Sequence, residues 1–170
     1  MAKISRTEAR ELLFALLFET EFRQNDVPAE IYSTACENRE IPDDKYIKDS
    51  FFGILSKSEF IDFAIGKYSR GWKAERLSKV SRNVLRVAMY EMFFVEDIPA
   101  NVSISQAVEL SVKYGEDKSK QFVNGVLSSL YKELGANGVE ALAREIAAEM
   151  SETTEEVDEN SAEISECEDA

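Results

Sequence analysis

A chain of 170 residues with 44% apolar and 31% charged side chains can bury the core of one or two domains. It has no histidine and only two cysteines, Cys36 and Cys167, which excludes Ser-His-Asp and Cys-His catalysis, the common zinc-ligand sets and a disulfide framework. The net charge of −13 is unevenly placed: residues 135–170 hold twelve acidic residues and one basic residue, Arg144, so residues 1–134 are nearly neutral and remain open to an anionic partner.

Taken in chain order, Ala9, Leu12, Leu13, Leu16 and Leu17 recur at the spacing of one helical face and predict a helix over 6–21, ended before Pro28. A shorter helix is expected around 30–38, closed by Ile41-Pro42-Asp43-Asp44. The Asp pair then stands where the next helix N-terminus favours negative charge. Tyr46, Ile47, Phe51, Ile54 and Leu55 form a third apolar stripe. Ser58 and Glu59 open a fourth, with Ile61, Ala64, Ile65 and Tyr68, stopping at Ser69-Arg70-Gly71. Trp72 leads into Leu77, Val80, Val84, Leu85, Val87, Ala88 and Phe94, apolar over so much of the circumference that this reads as the central buried helix, with Trp72 as a core anchor.

The Ile98-Pro99 pair breaks that helix, and Ser103-Ile104-Ser105-Gln106 has the form of a capping box that would open the next one, ended by Gly115. Lys118-Ser119-Lys120 precedes a last strong helix with Phe122, Val123, Val126, Leu127, Leu130 and Leu134. No strand-like alternation competes, so the expected class is all-α, in a domain spanning 1–134. Residues 135–150 read as a weak amphipathic helix through Val139, Leu142, Ile146 and Met150. Residues 151–170 read as a disordered acidic tail, too poor in aliphatic side chains to offset the entropy of ordering. No apolar run is long enough to span a membrane, and the polar N-terminus argues against secretion, so a cytoplasmic protein is expected.

Gly66, Gly71, Gly115 and Gly125 are isolated and form no phosphate loop. No catalytic, metal or cofactor set presents itself, and the chain reads as a non-enzyme. Three basic groups offer chemistry. Arg6 and Arg10 share a face at the start of the first helix, either to meet phosphate or to pair with Glu8 and Glu11. Lys118 and Lys120 stand beside Phe122, suited to a phosphate and a stacked base unless Phe122 belongs to the core. Lys79, Arg82 and Arg86 either ring the central helix with charge or meet a protein partner. Asn124-Gly125 inside a helix calls for close packing or close approach of a ligand.

Arg6-Thr7-Glu8-Ala9-Arg10-Glu11, Trp72 with Glu75-Arg76-Leu77, Val84-Leu85-Arg86-Val87-Ala88-Met89-Tyr90-Glu91, Asp97-Ile98-Pro99, Ile104-Ser105-Gln106-Ala107-Val108-Glu109-Leu110 and Lys118-Ser119-Lys120-Gln121-Phe122-Val123-Asn124-Gly125-Val126-Leu127, in this order, resemble the NusB family of bacterial transcription antitermination factors. The resemblance spans residues 3 to about 134 and implies two small helical subdomains of roughly three and four helices. It also implies binding of single-stranded boxA RNA of ribosomal RNA transcripts together with the ribosomal protein NusE, acting on the RNA polymerase elongation complex. The implied RNA contacts map onto Arg6, Arg10, Lys118, Lys120 and Phe122, drawn together into one surface. Thr7 and Glu8 interrupt an N-terminal run that is often richer in arginine, which predicts weaker RNA binding, more reliant on NusE. The same resemblance admits two alternatives: an accessory domain akin to those fused to ribosomal RNA cytosine methyltransferases, although the sequence given has no catalytic part, or a homodimer that masks its RNA surface. The acidic tail lies outside the resemblance. It would either fold over the basic face and exclude non-specific RNA or simply solubilise the chain.

Overall fold

The computed structural model describes residues 3–168 apart from 39 and 71, with side chains as far as Val157. Gly71, read above as part of a helix stop, therefore lies outside the described residues. Among those described there is no strand, and no helix is long and apolar enough to cross a membrane. The all-α expectation agrees with the structure.

The first helix, α1 (Arg6–Thr20), is opened by a capping box that the sequence reading passed over. The Ser5 hydroxyl accepts from the Glu8 N–H at 3.1 Å, and the Glu8 carboxylate accepts from the Ser5 N–H at 2.8 Å. Pro28 does not merely end α1. It occupies the first turn of α2 (Pro28–Glu37), where its missing N–H costs nothing. Asp44 caps α3 (Lys45–Ser56), its carboxylate accepting from the Ile47 N–H at 3.0 Å, as the acidic pair suggested. The next helix, α4 (Ser58–Tyr68), follows almost without a break. A single 3-10 turn at Ala74–Arg76 then leads to α5 (Lys79–Phe94), capped by Ser78, so the central helix begins well after Trp72.

The sixth helix, α6 (Ala100–Tyr114), starts directly after Pro99, not at Ser103. The supposed capping pair there is used otherwise. Ser103 is buried and donates to Glu91 on α5, and Gln106 accepts from Arg10 on α1. Gly138, at φ +80°, separates α7 (Ser119–Asn137) from α8 (Val139–Glu168).

Helices α1–α3 pack as one group and α4–α7 as the other, and α5 lies against α1, α3, α4, α6 and α7. Leu85 and Met89 on α5 are fully buried in a core shared with Leu13, Ile54, Ile65 and Leu127. The eighth helix adds Leu142 and Ile146, both without exposed surface, to α4 and α7. Its backbone remains helical as far as Glu168, within the acidic stretch 151–170 expected to be disordered. Residues 151–157 are all exposed there, but they include no glycine or proline, and the hydroxyls of Ser151, Thr153 and Thr154 bond to carbonyls one turn back.

Candidate nucleic-acid interface

The seven cations and one aromatic singled out in the sequence fall into three settings. Arg10 is one of the most buried polar residues in the molecule, 3% exposed. Its Nε donates to the Glu91 carboxylate at 2.7 Å, and one terminal nitrogen donates to Gln106 at 3.2 Å. Glu91, 1% exposed, also accepts from the hydroxyls of Tyr46 and Ser103. Burial and the Glu91 charge both raise the Tyr46 hydroxyl far above its ordinary range, so it stays a donor. This knot joins α1, α3, α5 and α6. Arg10 is therefore not a surface contact for phosphate: an uncompensated Glu91 carboxylate in the core requires the guanidinium inside.

Arg82 and Arg86 are drawn inward as well. Arg82 makes a two-pronged pair with Glu21, at 2.9 and 2.7 Å, and donates to the Ala74 carbonyl. Arg86 does the same with Asp62, at 2.8 and 2.7 Å, and also reaches Glu21 at 3.2 Å. Burial raises the Glu21 carboxyl, but the hydrogen bond and charge of Arg82, with Arg86 and Asn83, outweigh it and hold it below its ordinary value. These arginines clamp α1, α4 and α5 together, so of the three residues considered for a protein partner only Lys79 stays exposed. Its ammonium sits 5.4 Å from the centre of the Phe22 ring.

Arg6, by contrast, is exposed and lies over the Tyr46 ring at 4.2 Å, beside a hollow shared with Lys45, Asp49 and Tyr90. Lys118 and Lys120 are exposed at the start of α7. Phe122 is half-buried: it packs on the core and also borders two hollows. One, of about 400 Å³, is lined by Trp72, Arg76, Ser78, Lys118, Ser119 and Phe122 among others. The second, of about 330 Å³, has Arg70, Gln121 and Gly125 with Trp72 and Phe122. Trp72 and Phe122 thus form an aromatic ridge between two open hollows. Trp72 is not the core anchor expected; it is 58% exposed. Around the ridge, residues 70–76 and 116–122 expose five cations (Arg70, Lys73, Arg76, Lys118, Lys120) and three carboxylates (Glu75, Glu116, Asp117).

Gly125 faces open space, with no atom near enough to touch an added Cβ, so no packing helix explains it and the floor of the second hollow does. Arg6 lines one hollow and Lys118 another. Thr7 and Glu11 of α1 meet Gln106 and Lys113 of α6 at a separate small hollow.

The Trp72 ring stands in solvent with cations on both sides of the ridge, an arrangement able to stack a base and meet its phosphate. The signal for it was present in the sequence, since Trp72 is followed by Lys73, Glu75 and Arg76, a polar setting in which a core tryptophan is out of place. A second exposed aromatic feature was missed entirely. Tyr114, Phe14, Phe18 and Phe22 form a ladder with ring centres 5.2, 6.1 and 5.2 Å apart, ending at Phe22, which is 65% exposed. No cluster of His, Cys, Asp or Glu among the described residues could hold a metal ion.

A model of the NusB family matches residues 7–132. The chain is 37% identical over 135 residues to the transcription antitermination protein NusB of Clostridium perfringens, covering 77% of this chain and 99% of that protein. It is 38% identical over 131 residues to the protein of the same name from Bacillus licheniformis, with the same coverage. Among solved structures it is similar to NusB of T. maritima, with a TM-score of 0.68 and 38% identity over 78% of this chain and 94% of that one. It is also similar to a chain from a crystal structure of antitermination factors NusB and NusE in complex with dsRNA, with a TM-score of 0.66 and 30% identity over 75% and 96%. The family match ends before α8 begins.

Proposed function

The chain belongs to the NusB family, and on that footing we propose that it is a transcription antitermination factor that binds boxA-type RNA together with NusE and so acts on elongating RNA polymerase in the cytoplasm. The observation that carries the reading is the exposed Trp72–Phe122 ridge with Lys118 and Arg76 beside it. Bases stack on the ridge, and phosphates meet the cations. The strand continues along the α1–α6 seam toward Arg6, which Tyr46 holds at the far end. Lys118, Lys120 and Arg6 act through phosphate, Phe122 and Trp72 through bases. Arg10 supports the site from within by fixing the start of α1.

NusE docks on the exposed end of the aromatic ladder, Phe18 and Phe22 with Lys79 beside them. Aromatic side chains are enriched at protein interfaces relative to the rest of the surface. The role is one of binding without catalysis. The test is fluorescence anisotropy of a labelled boxA-type single strand at two salt concentrations, with and without NusE. Binding should strengthen with NusE and weaken with salt by about 0.7 in logarithmic slope per phosphate contact. Binding indifferent to both NusE and salt contradicts the reading.

A further inference from the structure

The eighth helix lies outside the family match, yet it has a fixed course. Phe60, early in α4, meets Phe93 and Phe94, which border the same hollow as Val139 and Arg144 at the start of α8. Lys67, in the last turn of α4, pairs with Glu149 at 2.8 Å and Glu145 at 3.5 Å. The two helices therefore run side by side in the same direction. Leu142 and Ile146, fully buried, pin α8 in that course.

Beyond Glu149, α8 advances past the end of α4 by about 1.5 Å per residue. Glu145, Glu149, Glu152 and Glu156 share one helical face, so the carboxylate row that meets Lys67 extends roughly 4 and 10 Å further along it. The chain leaving α4 stays close by: the Ser69 hydroxyl donates to the Trp72 carbonyl at 2.6 Å, a tight turn that carries Arg70 and Trp72 at the helix end. The acidic helix is thus directed past the end of α4 from which Arg70 and Trp72 leave. No basic residue follows Arg144, so nothing on α8 beyond it offsets the row.

We propose that α8 is an acidic wall closing the Arg70 end of the RNA groove, so that a strand seated on Trp72 and Phe122 is confined to the Lys118 side and Arg70 is withheld from phosphate. This deepens the RNA-binding reading and rests on it. The wall lowers the affinity of long strands that would cross Arg70, and leaves short strands on the Lys118 side unaffected.

The test uses the full chain with E152Q/E156Q, which removes charge while keeping good helix formers, against an unstructured 20-nucleotide RNA. At about 25 mM salt the variant should bind roughly three- to tenfold more tightly than the parent, with a salt slope steeper by about 0.7, one added phosphate contact. The gain should vanish at about 500 mM salt, and R70Q should abolish it in the variant while changing little in the parent. Equal affinity and slope for parent and variant overturn the wall while leaving RNA binding intact. A gain that survives R70Q also overturns it. Absence of binding by either protein, both shown to be folded, overturns the RNA reading and the wall with it.

Discussion

At the start of α1 an arginine is drawn into the core, where Glu91, Tyr46, Ser103 and Gln106 surround it. At the start of α7, Lys118 and Lys120 remain in solvent beside the ridge of Trp72 and Phe122. Both regions place cations at a helix N-terminus, against the sign the helix dipole favours. The first is compensated by a buried carboxylate from 81 residues away; the second has no such partner among the described residues. A cation at an unfavourable helix end serves either the core or a ligand, and what decides is whether the opposite helix brings a carboxylate to it.

Breaking the buried region should have the largest effect. Arg10→Ala leaves Glu91 charged and unpaired, and should cost about 3–5 kcal/mol in urea unfolding. R10M/E91L together should recover most of that loss, since a buried pair replaced by apolar groups of similar size is often neutral. If Arg10→Ala instead unfolds like the parent, the inward arginine is not what holds the helices. Glu21→Gln weakens the second clamp, to Arg82 and Arg86, by about 1.5–3 kcal/mol at neutral pH. The Glu21 carboxyl lies below its ordinary value of 4.5, so its contribution is complete above that value and is lost as pH falls through the lowered one. Thermal melts of parent and variant should therefore converge in strong acid.

The exposed region should respond in the opposite sense. Trp72→Ala should leave stability within about 0.5 kcal/mol, while single-stranded RNA loses about 1–3 kcal/mol of binding. Comparable losses in stability would return Trp72 to the core. Lys118→Gln should flatten the salt slope by about 0.7 with little effect on folding, measured by anisotropy across salt concentrations. Gly125→Ala, a helical glycine facing open space, should stabilise the chain by up to about 1 kcal/mol. Any accompanying loss of RNA affinity would show that the hollow beneath Phe122 must stay open.

Most helices were legible because their apolar spacing is local: the stripes of α1, α3, α4, α5 and α7 fix which side is buried. The errors came where a polar residue answers to a distant partner. Ser103 and Gln106 looked like a capping pair because the donors and acceptors they serve, Glu91 and Arg10, are remote in sequence. Arg82 and Arg86 looked available because Glu21 and Asp62 come from other helices. Trp72 was assigned to the core by residue type, although its charged neighbours pointed outward. The capping box at Ser5–Glu8, entirely local, was legible and overlooked. The composition after Met150 pointed to disorder, whereas the backbone stays helical as far as Glu168.

Trp72 is the only tryptophan in the chain, so its emission reports on the ridge without any label. Titration of the unmodified protein with boxA-type single-stranded RNA, followed by tryptophan fluorescence at low salt, tests the interface most directly. Stacking of a base on Trp72 predicts saturable quenching that tracks binding measured by anisotropy and is relieved by added salt. Full binding by anisotropy with unchanged emission would contradict the account, placing the RNA elsewhere on the molecule.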